Sequence, residues 1–300
     1  RRRMRAPLSI LNDIPRFVPA QNYASDFGSQ WNHFPKTQLD SYSGLSISED
    51  RLARCFQGEL SSIGDKLILE AGSGAGRFTE ILLKYGAVVH SFDYSNAVEA
   101  NQRNNGSHPK LTLVQADIRD LPFPKGSYDY VVCLGVLQHT PSPEESITKL
   151  WEMVKPGGRL IIDHYRYVWK FQLPPPFGSA GIVYRWFTLK LPANKRFDFI
   201  KRMVDFWFPI HWKFRDSLLA QRIIRRLSPV HFYYPDLKLC DRQMYYEWAL
   251  LDTHDSTTDY YKHLRRPNQI KEALEELGAK DVRVSIGGNG IEAWCVKPAD

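Results

Sequence analysis

Residues 67–78 read Leu67-Ile68-Leu69-Glu70-Ala71-Gly72-Ser73-Gly74-Ala75-Gly76-Arg77-Phe78. Three glycines at alternate positions, entered from an apolar run and left by a helical pattern, let a ligand approach the backbone at a helix N-terminus. A dinucleotide-binding turn wants G-x-G-x-x-G. Here the third glycine comes one residue early, and Arg77 stands where that motif wants glycine. Glu70 precedes the turn, and a carboxylate there repels a pyrophosphate but suits an ammonium or sulfonium charge. Asp93 closes the next apolar run, placed for a bidentate bond to ribose hydroxyls. Asp117, in Gln115-Ala116-Asp117-Ile118, closes the third, in position to meet an adenine amino group.

These residues need a scaffold that brings the ends of successive strands to one edge. Leu67–Leu69, Val88–Phe92, Leu111–Val114, Tyr130–Leu134 and Leu160–Asp163 are short apolar runs that read as strands. Between them lie helical stripes. Phe78, Ile81, Leu82 and Tyr85 share one face, with Gly86 as the stop. Ile147, Leu150, Trp151 and Val154 share another, entered by Ser142-Pro143-Glu144-Glu145, a cap followed by Pro at the first helical position. Pro156-Gly157-Gly158 reads as a break before strand five. After Pro267, Ile270, Ala273, Leu274 and Leu277 form a further face, and Val282–Ile286 and Ile291–Val296 read as a hairpin around Gly287-Gly288-Asn289-Gly290. Strands alternating with helices predict a doubly wound, mostly parallel α/β sheet.

Together these motifs resemble the class I S-adenosylmethionine-dependent methyltransferases. The similarity rests on E/D-x-G-x-G-x-G at Glu70–Gly76, the acid Asp93 after strand two, Ala116-Asp117-Ile118 after strand three, and Leu134-Gly135-Val136-Leu137-Gln138-His139-Thr140-Pro141 after strand four. With Lys155-Pro156-Gly157-Gly158-Arg159-Leu160, the pattern resembles the small-molecule, ubiquinone-biosynthesis-like (type 11) branch. It covers residues 60–165 well and 265–297 more loosely. The resemblance implies a Rossmann-like sheet of seven strands with the last antiparallel, and S-adenosylmethionine as cofactor. Glu70 and Gly72, Ser73, Gly74, Gly76 and Arg77 would hold its methionine part, Asp93 its ribose, and Asp117 with Ile118 its adenine. We extend the candidate cofactor set to Tyr94, Ser95, Ala116, Leu134 and Gln138, and to Tyr23, Gln30 and Trp31 of an N-terminal aromatic segment that also contains Phe27. That segment is either a lid over the cofactor or ordinary core packing.

Transfer to a hydroxyl needs a base, and His is the side chain poised near neutral pH. Some similar enzymes use a His at the position of His139, with an acid after strand five. We therefore take His139 as general base and Asp163 as its orienting or substrate-binding partner. The alternative is that His139 only caps the following segment or touches the cofactor. His164, Tyr165, His254, Asp255, Tyr260 and Tyr261 are the substrate candidates, the last four in a polar, turn-rich stretch, Asp252–Tyr261.

Three segments follow: a lead-in (1–60), a core (61–165 and 266–300) and a helical cap inserted between strands five and six (166–265). The 300 residues carry 40 Lys and Arg against 33 Asp and Glu, a net charge of +7. From Arg166 to Arg226 there are thirteen Lys or Arg against three acids, a local net of +10, so the remainder is at −3. The basic segment is also aromatic, above all at Phe206-Trp207-Phe208-Pro209-Ile210-His211-Trp212. It reads as cap core, as an anchor at a membrane surface, or as a cleft for an anionic acceptor. The four cysteines are far apart and suggest neither a zinc site nor a disulfide framework, so no metal and a reducing, cytoplasmic setting are expected. No apolar run is long enough to span a bilayer, and Arg1–Arg5 lacks the apolar core of a secretion signal. The leading expectation is O-methylation of a small acceptor, sugar-containing or lipid-linked, with peripheral membrane contact through the insertion. The alternatives are an RNA methyltransferase using the basic insertion, and N- or C-methylation by proximity alone.

Overall fold

A computed structural model describes residues 6–19, 25–174 and 177–299. Tyr23 and the side chain of Phe27 lie outside the described part. The chain divides into two compact units. The first comprises the chain up to Pro35, Ser46–Tyr167 and Tyr261–Asp300; the second comprises Lys36–Leu45 and Val168–Tyr260.

The first unit holds one mixed sheet of nine strands: β1 (Ser9–Leu11), β2 (Ile14–Arg16), β3 (Leu67–Ala71), β4 (Val88–Asp93), β5 (Leu111–Gln115), β6 (Tyr128–Cys133), β7 (Val154–His164), β8 (Lys280–Gly287) and β9 (Gly290–Val296). Their order is β1-β2-β5-β4-β3-β6-β7-β9-β8. Strands β3 to β7 are parallel to their neighbours, and β9 inserts antiparallel between β7 and β8. The order reverses between β3 and the β4 and β6 strands on its two sides, which opens a crevice at the carboxyl ends.

Alternation along the strands sends side chains to two apolar layers. Leu69, Val131 and Ile162 join Leu150, Trp151, Ile270 and Leu274 on one face. Their neighbours Ile68, Val132 and Ile161 join Leu52, Phe56, Phe78 and Leu82 on the other. Burial on both faces explains why these strands read as continuous apolar runs.

Six helices accompany this sheet among the described residues, and five belong to the second unit. In chain order they are α1 (Ser25–His33), α2 (Asp40–Ser43), α3 (Ile47–Cys55), α4 (Arg77–Lys84), α5 (Val98–Asn105), α6 (Pro143–Met153), α7 (Ala180–Lys190), α8 (Ala193–Lys213), α9 (Leu218–Leu227), α10 (Arg242–Thr258) and α11 (Pro267–Glu276). The α6 start is as its residues dictate: Ser142 Oγ accepts from the Glu145 amide and Pro143 fills the first position.

Three features differ from the sequence expectation. First, the sheet gains β1 and β2, because Ile14–Arg16 docks on the free edge of β5. The Phe17 amide donates to Gln115 O at 2.8 Å, and the buried Arg16 guanidinium reaches Gln115 Oε1 at 2.9 Å and the Glu99 carboxylate. Second, Pro156-Gly157-Gly158 does not break the chain. A register shift between Tyr128 and Tyr130 lets β7 run on through it, with Val154 opposite Tyr128. Third, Asp252–Thr258 is helical. The Thr257 and Thr258 hydroxyls bond back to Thr253 O (2.6 Å) and His254 O (2.9 Å), which satisfies them inside α10.

The second unit is helical with an aromatic core. Phe208 stacks on Trp212 with centroids 5.9 Å apart and meets Phe232 edge-on, also at 5.9 Å. Trp212 also meets Tyr234 and Tyr245. Among the described residues no helix is long and apolar enough to cross a membrane.

Arg16→Met should leave the β3–β9 core intact but cost about 2 kcal/mol, because a buried amide and carboxylate lose their donor. The denaturant midpoint should fall with an unchanged slope; an unaltered midpoint would show that β2 is held by its apolar contacts alone.

Candidate cofactor and acceptor site

The glycine turn is built on strand-end hydrogen bonds. The Gly72 and Ser73 amides donate to Phe92 O at 2.8 and 3.0 Å. The Gly74 amide donates to Asp93 Oδ2 at 2.9 Å. Gly72, Gly74 and Gly76 all have positive φ, at 74, 53 and 91°. A Cβ at Gly72 would overlap Val136, and one at Gly76 would overlap Asn101 and Asn105. A Cβ at Gly74 would stand 3.2 Å from the Trp31 indole, so α1 lays that ring against the turn. The turn therefore presents bare backbone between β3 and α4.

Glu70 is buried under it. Its Oε2 accepts from Thr79 Oγ1 (2.5 Å) and Ser91 Oγ (2.8 Å). Its Oε1 has no hydrogen-bond partner, and neither has Ser73 Oγ. Burial pushes the Glu70 carboxyl up to about 7, against the opposing pull of the two hydroxyls and the Thr79 backbone amide. Asp93 Oδ1 accepts from the Ser95 amide and hydroxyl at 2.8 and 2.7 Å, so its place is fixed by the turn it follows. Tyr94 is half-buried beside it, and Ser95, Ala116 and Ile118 are buried. Asp117 accepts a two-pronged contact from Arg119, Nη2 to Oδ2 being 2.7 Å.

After β6, Leu134 is buried and Gly135 turns with φ 79°. The Gln138 side chain is fully buried, and neither of its amide atoms has a hydrogen-bond partner. Its backbone carbonyl accepts from the His263 amide at 2.9 Å. His139 is half-buried; its Nδ1 lies 3.2 Å from Tyr261 O and its ring meets Tyr165 edge-on at 5.3 Å. A carbonyl only accepts, so Nδ1 carries the proton in this contact and Nε2 is the basic nitrogen.

Asp163 does not orient His139. Its carboxylate is fully buried and takes the Gly135 amide on Oδ1 at 2.6 Å and the Arg51 guanidinium on Oδ2, with Asn289 Nδ2 at 3.3 Å. It holds the turn after β6, not the imidazole. A buried carboxylate takes the strongest cation in reach, and α3 delivers Arg51 to it. His164, the next residue, is fully buried, with Nδ1 on Tyr165 O at 3.0 Å. Burial pulls its pKa down to about 4, so it is neutral at physiological pH.

Arg51 was not anticipated, nor was Arg54, whose fork grips Glu292 at 2.8 and 2.7 Å. Burial alone would raise the Glu292 carboxyl; the fork more than offsets it and holds it low. Their i, i+3 spacing was a readable sign of one basic helix face. The acids facing it were not readable, because Asp163 and Glu292 become neighbours only when β9 pairs with β7.

Of the remaining candidates, Tyr261 belongs to the first unit. His254, Asp255 and Tyr260 belong to the second. His254 is buried on α10, 5.9 Å from the Phe197 ring. Gln30 is buried on α1, and Arg77 opens α4 with its guanidinium over Phe78 at 4.5 Å. Among the described residues no group of three His, Cys, Asp or Glu could hold a metal.

A profile described as a methyltransferase domain matches residues 69–162, the stretch that holds Glu70, the glycine turn, Asp93, Asp117 and His139 and ends just before Asp163. Residues 69–162 are thus similar to a methyltransferase domain. The ubiquinone biosynthesis O-methyltransferase of Coxiella burnetii is 31% identical over 98 residues, which is 32% of this chain and 42% of that protein. The demethylmenaquinone methyltransferase of Clavibacter sepedonicus is 29% identical over 151 residues, 50% of this chain and 58% of that one. The chain thus spans about half the length of the curated relatives it matches. Human N-acetylserotonin methyltransferase, solved with S-adenosylmethionine, shares the fold with a TM-score of 0.50 at 14% identity, covering 94% of this chain and 61% of that one.

The Glu70 carboxyl gives this domain a pH signature. The folded protein keeps a proton there that the unfolded chain gives up near 4.5. Stability therefore falls as pH rises from about 4.5 to about 7. Glu70→Gln should raise the unfolding temperature at pH 8, by up to about 3 kcal/mol of stability, and leave it nearly unchanged at pH 5. An equal shift at both pH values would mean that Glu70 is ionised throughout.

Proposed function

We propose that this protein is an S-adenosylmethionine-dependent O-methyltransferase acting on a hydroxyl of a small molecule, sugar-containing or lipid-linked. The observation that carries the cofactor is Glu70: a buried carboxylate with one unpartnered oxygen, beneath a turn with no room for a Cβ at Gly72 or Gly76. Such a group lacks a cation, and the cofactor's ammonium and sulfonium supply positive charge. Ser73 Oγ and the Gln138 amide, both buried without partners, add hydrogen-bonding capacity to the same strand ends. Asp93 and Asp117 already have partners, but a carboxylate offers about four acceptor sites and so retains capacity. These residues fit the group. Glu70 and the turn would hold its methionine part, Asp93 its ribose, and Asp117 with Ile118 its adenine; Gln30 and Trp31 would cover it.

When bound, the cofactor supplies a methyl group already activated on a positively charged sulfur. The protein's task is then to position the acceptor, exclude water and remove one proton. His139 Nε2 takes the hydroxyl proton while Nδ1–H stays on Tyr261 O. Asp163 acts at one remove: fixed by Arg51, it holds the Gly135 turn that places Val136 against Gly72. His164, neutral and fully enclosed, is a poorer base than the half-exposed His139. Likeness over 98 residues to the ubiquinone biosynthesis O-methyltransferase of Coxiella burnetii supports a hydroxyl acceptor.

His139→Ala should lower kcat about 100-fold or more while calorimetry shows cofactor affinity kept. Near-normal turnover would instead favour N- or C-methylation by proximity. Labelled S-adenosylmethionine offered with hydroxylated small, sugar and lipid-linked acceptors tests the acceptor class; label passing only to RNA would overturn it.

A further inference from the structure

In the second unit, polar groups face inward on two helices whose outer faces are apolar. On α7, Arg185 is turned in to the buried Asp259, with Nε on its Oδ1 and Nη2 on its backbone O, both at 2.6 Å. Thr188 is buried on that side too. The outer side carries Ile182, Val183, Trp186 and Phe187, all exposed. Trp186 is 55% exposed, and Lys190 Nζ lies 3.3 Å from its ring centroid. On α9, Gln221 and Ser228 are buried and clasp His211 of α8, with Nδ1 to Gln221 Oε1 at 2.8 Å and Nε2 to Ser228 Oγ at 2.9 Å. That clasp fixes the rotation of α9. Leu219, Ile223 and Leu227, at i, i+4 and i+8, therefore point outward, and Leu219 is 69% exposed. Arg222 and Arg226 form the adjacent stripe, 222 and 226 again being one turn apart. The two helices pack on each other. An ordinary surface helix has the opposite arrangement.

We propose that the outer faces of α7 and α9 form a docking surface for an anionic lipid bilayer. The apolar stripes would enter the acyl boundary, Trp186 and Phe187 would sit at the headgroup level, and Lys190, Arg222 and Arg226 would meet lipid phosphates. Charge decides the occupant. A second copy would bring this arginine stripe against itself across a two-fold interface. Nucleic acid would use the cations but leave Ile182, Val183, Leu219, Ile223 and Leu227 without a role. An anionic membrane satisfies both kinds of residue. The surface differs from the aromatic run Phe206–Trp212, whose Phe208, His211 and Trp212 are spent on the unit's own core. It is independent of the acceptor's identity.

Co-sedimentation of the full chain with vesicles of phosphatidylcholine, with and without phosphatidylglycerol, tests it. We expect binding to the phosphatidylglycerol vesicles, weakened by salt, with a blue shift in tryptophan emission. The paired variants Trp186→Ala/Phe187→Ala and Leu219→Glu/Ile223→Glu should each reduce partitioning about tenfold or more, with circular dichroism showing the helices retained. Arg222→Glu should reduce it further at low salt. No binding to anionic vesicles at low salt would overturn the proposal, as would unchanged binding by folded variants. So would light scattering that shows a dimer broken by these substitutions, or an RNA complex that survives them.

Discussion

A buried carboxylate must be given a partner or give up its charge, and this requirement organises the carboxyl edge of the sheet. Glu70, Asp163 and Glu292 all lie there, each at least 96% enclosed. Asp163 and Glu292 are answered by two arginines of one helix, α3. Through Asp163 the same helix fixes the Gly135 amide, and Val136 beyond it packs against Gly72. The glycine turn, the turn after β6 and α3 are thus one connected arrangement. Glu70 is the exception: neutral donors reach it but, among the described residues, no cation does, and its Oε1 has no hydrogen-bond partner. A site left short of positive charge at this place is suited to a cationic ligand.

The second unit answers a different constraint. Its interior holds His211, Gln221, Ser228 and the Arg185–Asp259 pair, polar groups that need partners once buried and that find them among themselves. Because these bonds fix the rotation of α7 and α9, the apolar stripes have no freedom to turn inward. The basic charge that dominates the chain's net balance is therefore displayed beside exposed aliphatic and aromatic side chains rather than spread over a uniformly polar surface.

Much of the first unit was legible in order along the chain. Strand, glycine turn and helix from Leu67 to Lys84, the acids closing β4 and β5, and the Ser142-Pro143 helix start are all local, and their geometry follows from neighbouring residues. What was not legible involved partners distant in sequence. Arg16 joins Gln115, Arg51 joins Asp163, and Arg54 joins Glu292 across 99, 112 and 238 residues. Polar turn-like residues also misled at Asp252–Thr258, where hydroxyls that favour turns in isolation found carbonyls inside a helix.

The sequence alone determined the fold class, the glycine turn and the strand-end carboxylates, because hydrophobic periodicity and φ requirements act over a few residues. It also placed a histidine after the fourth parallel strand, His139. Only the tertiary structure decided how those groups are held: that Asp163 serves the backbone of a turn, that His139 faces the carbonyl of Tyr261, and that Glu70 keeps an unanswered oxygen. Those outcomes depend on which charges and donors meet after strands pair and helices dock, and no local pattern encodes the distance between residues a hundred positions apart.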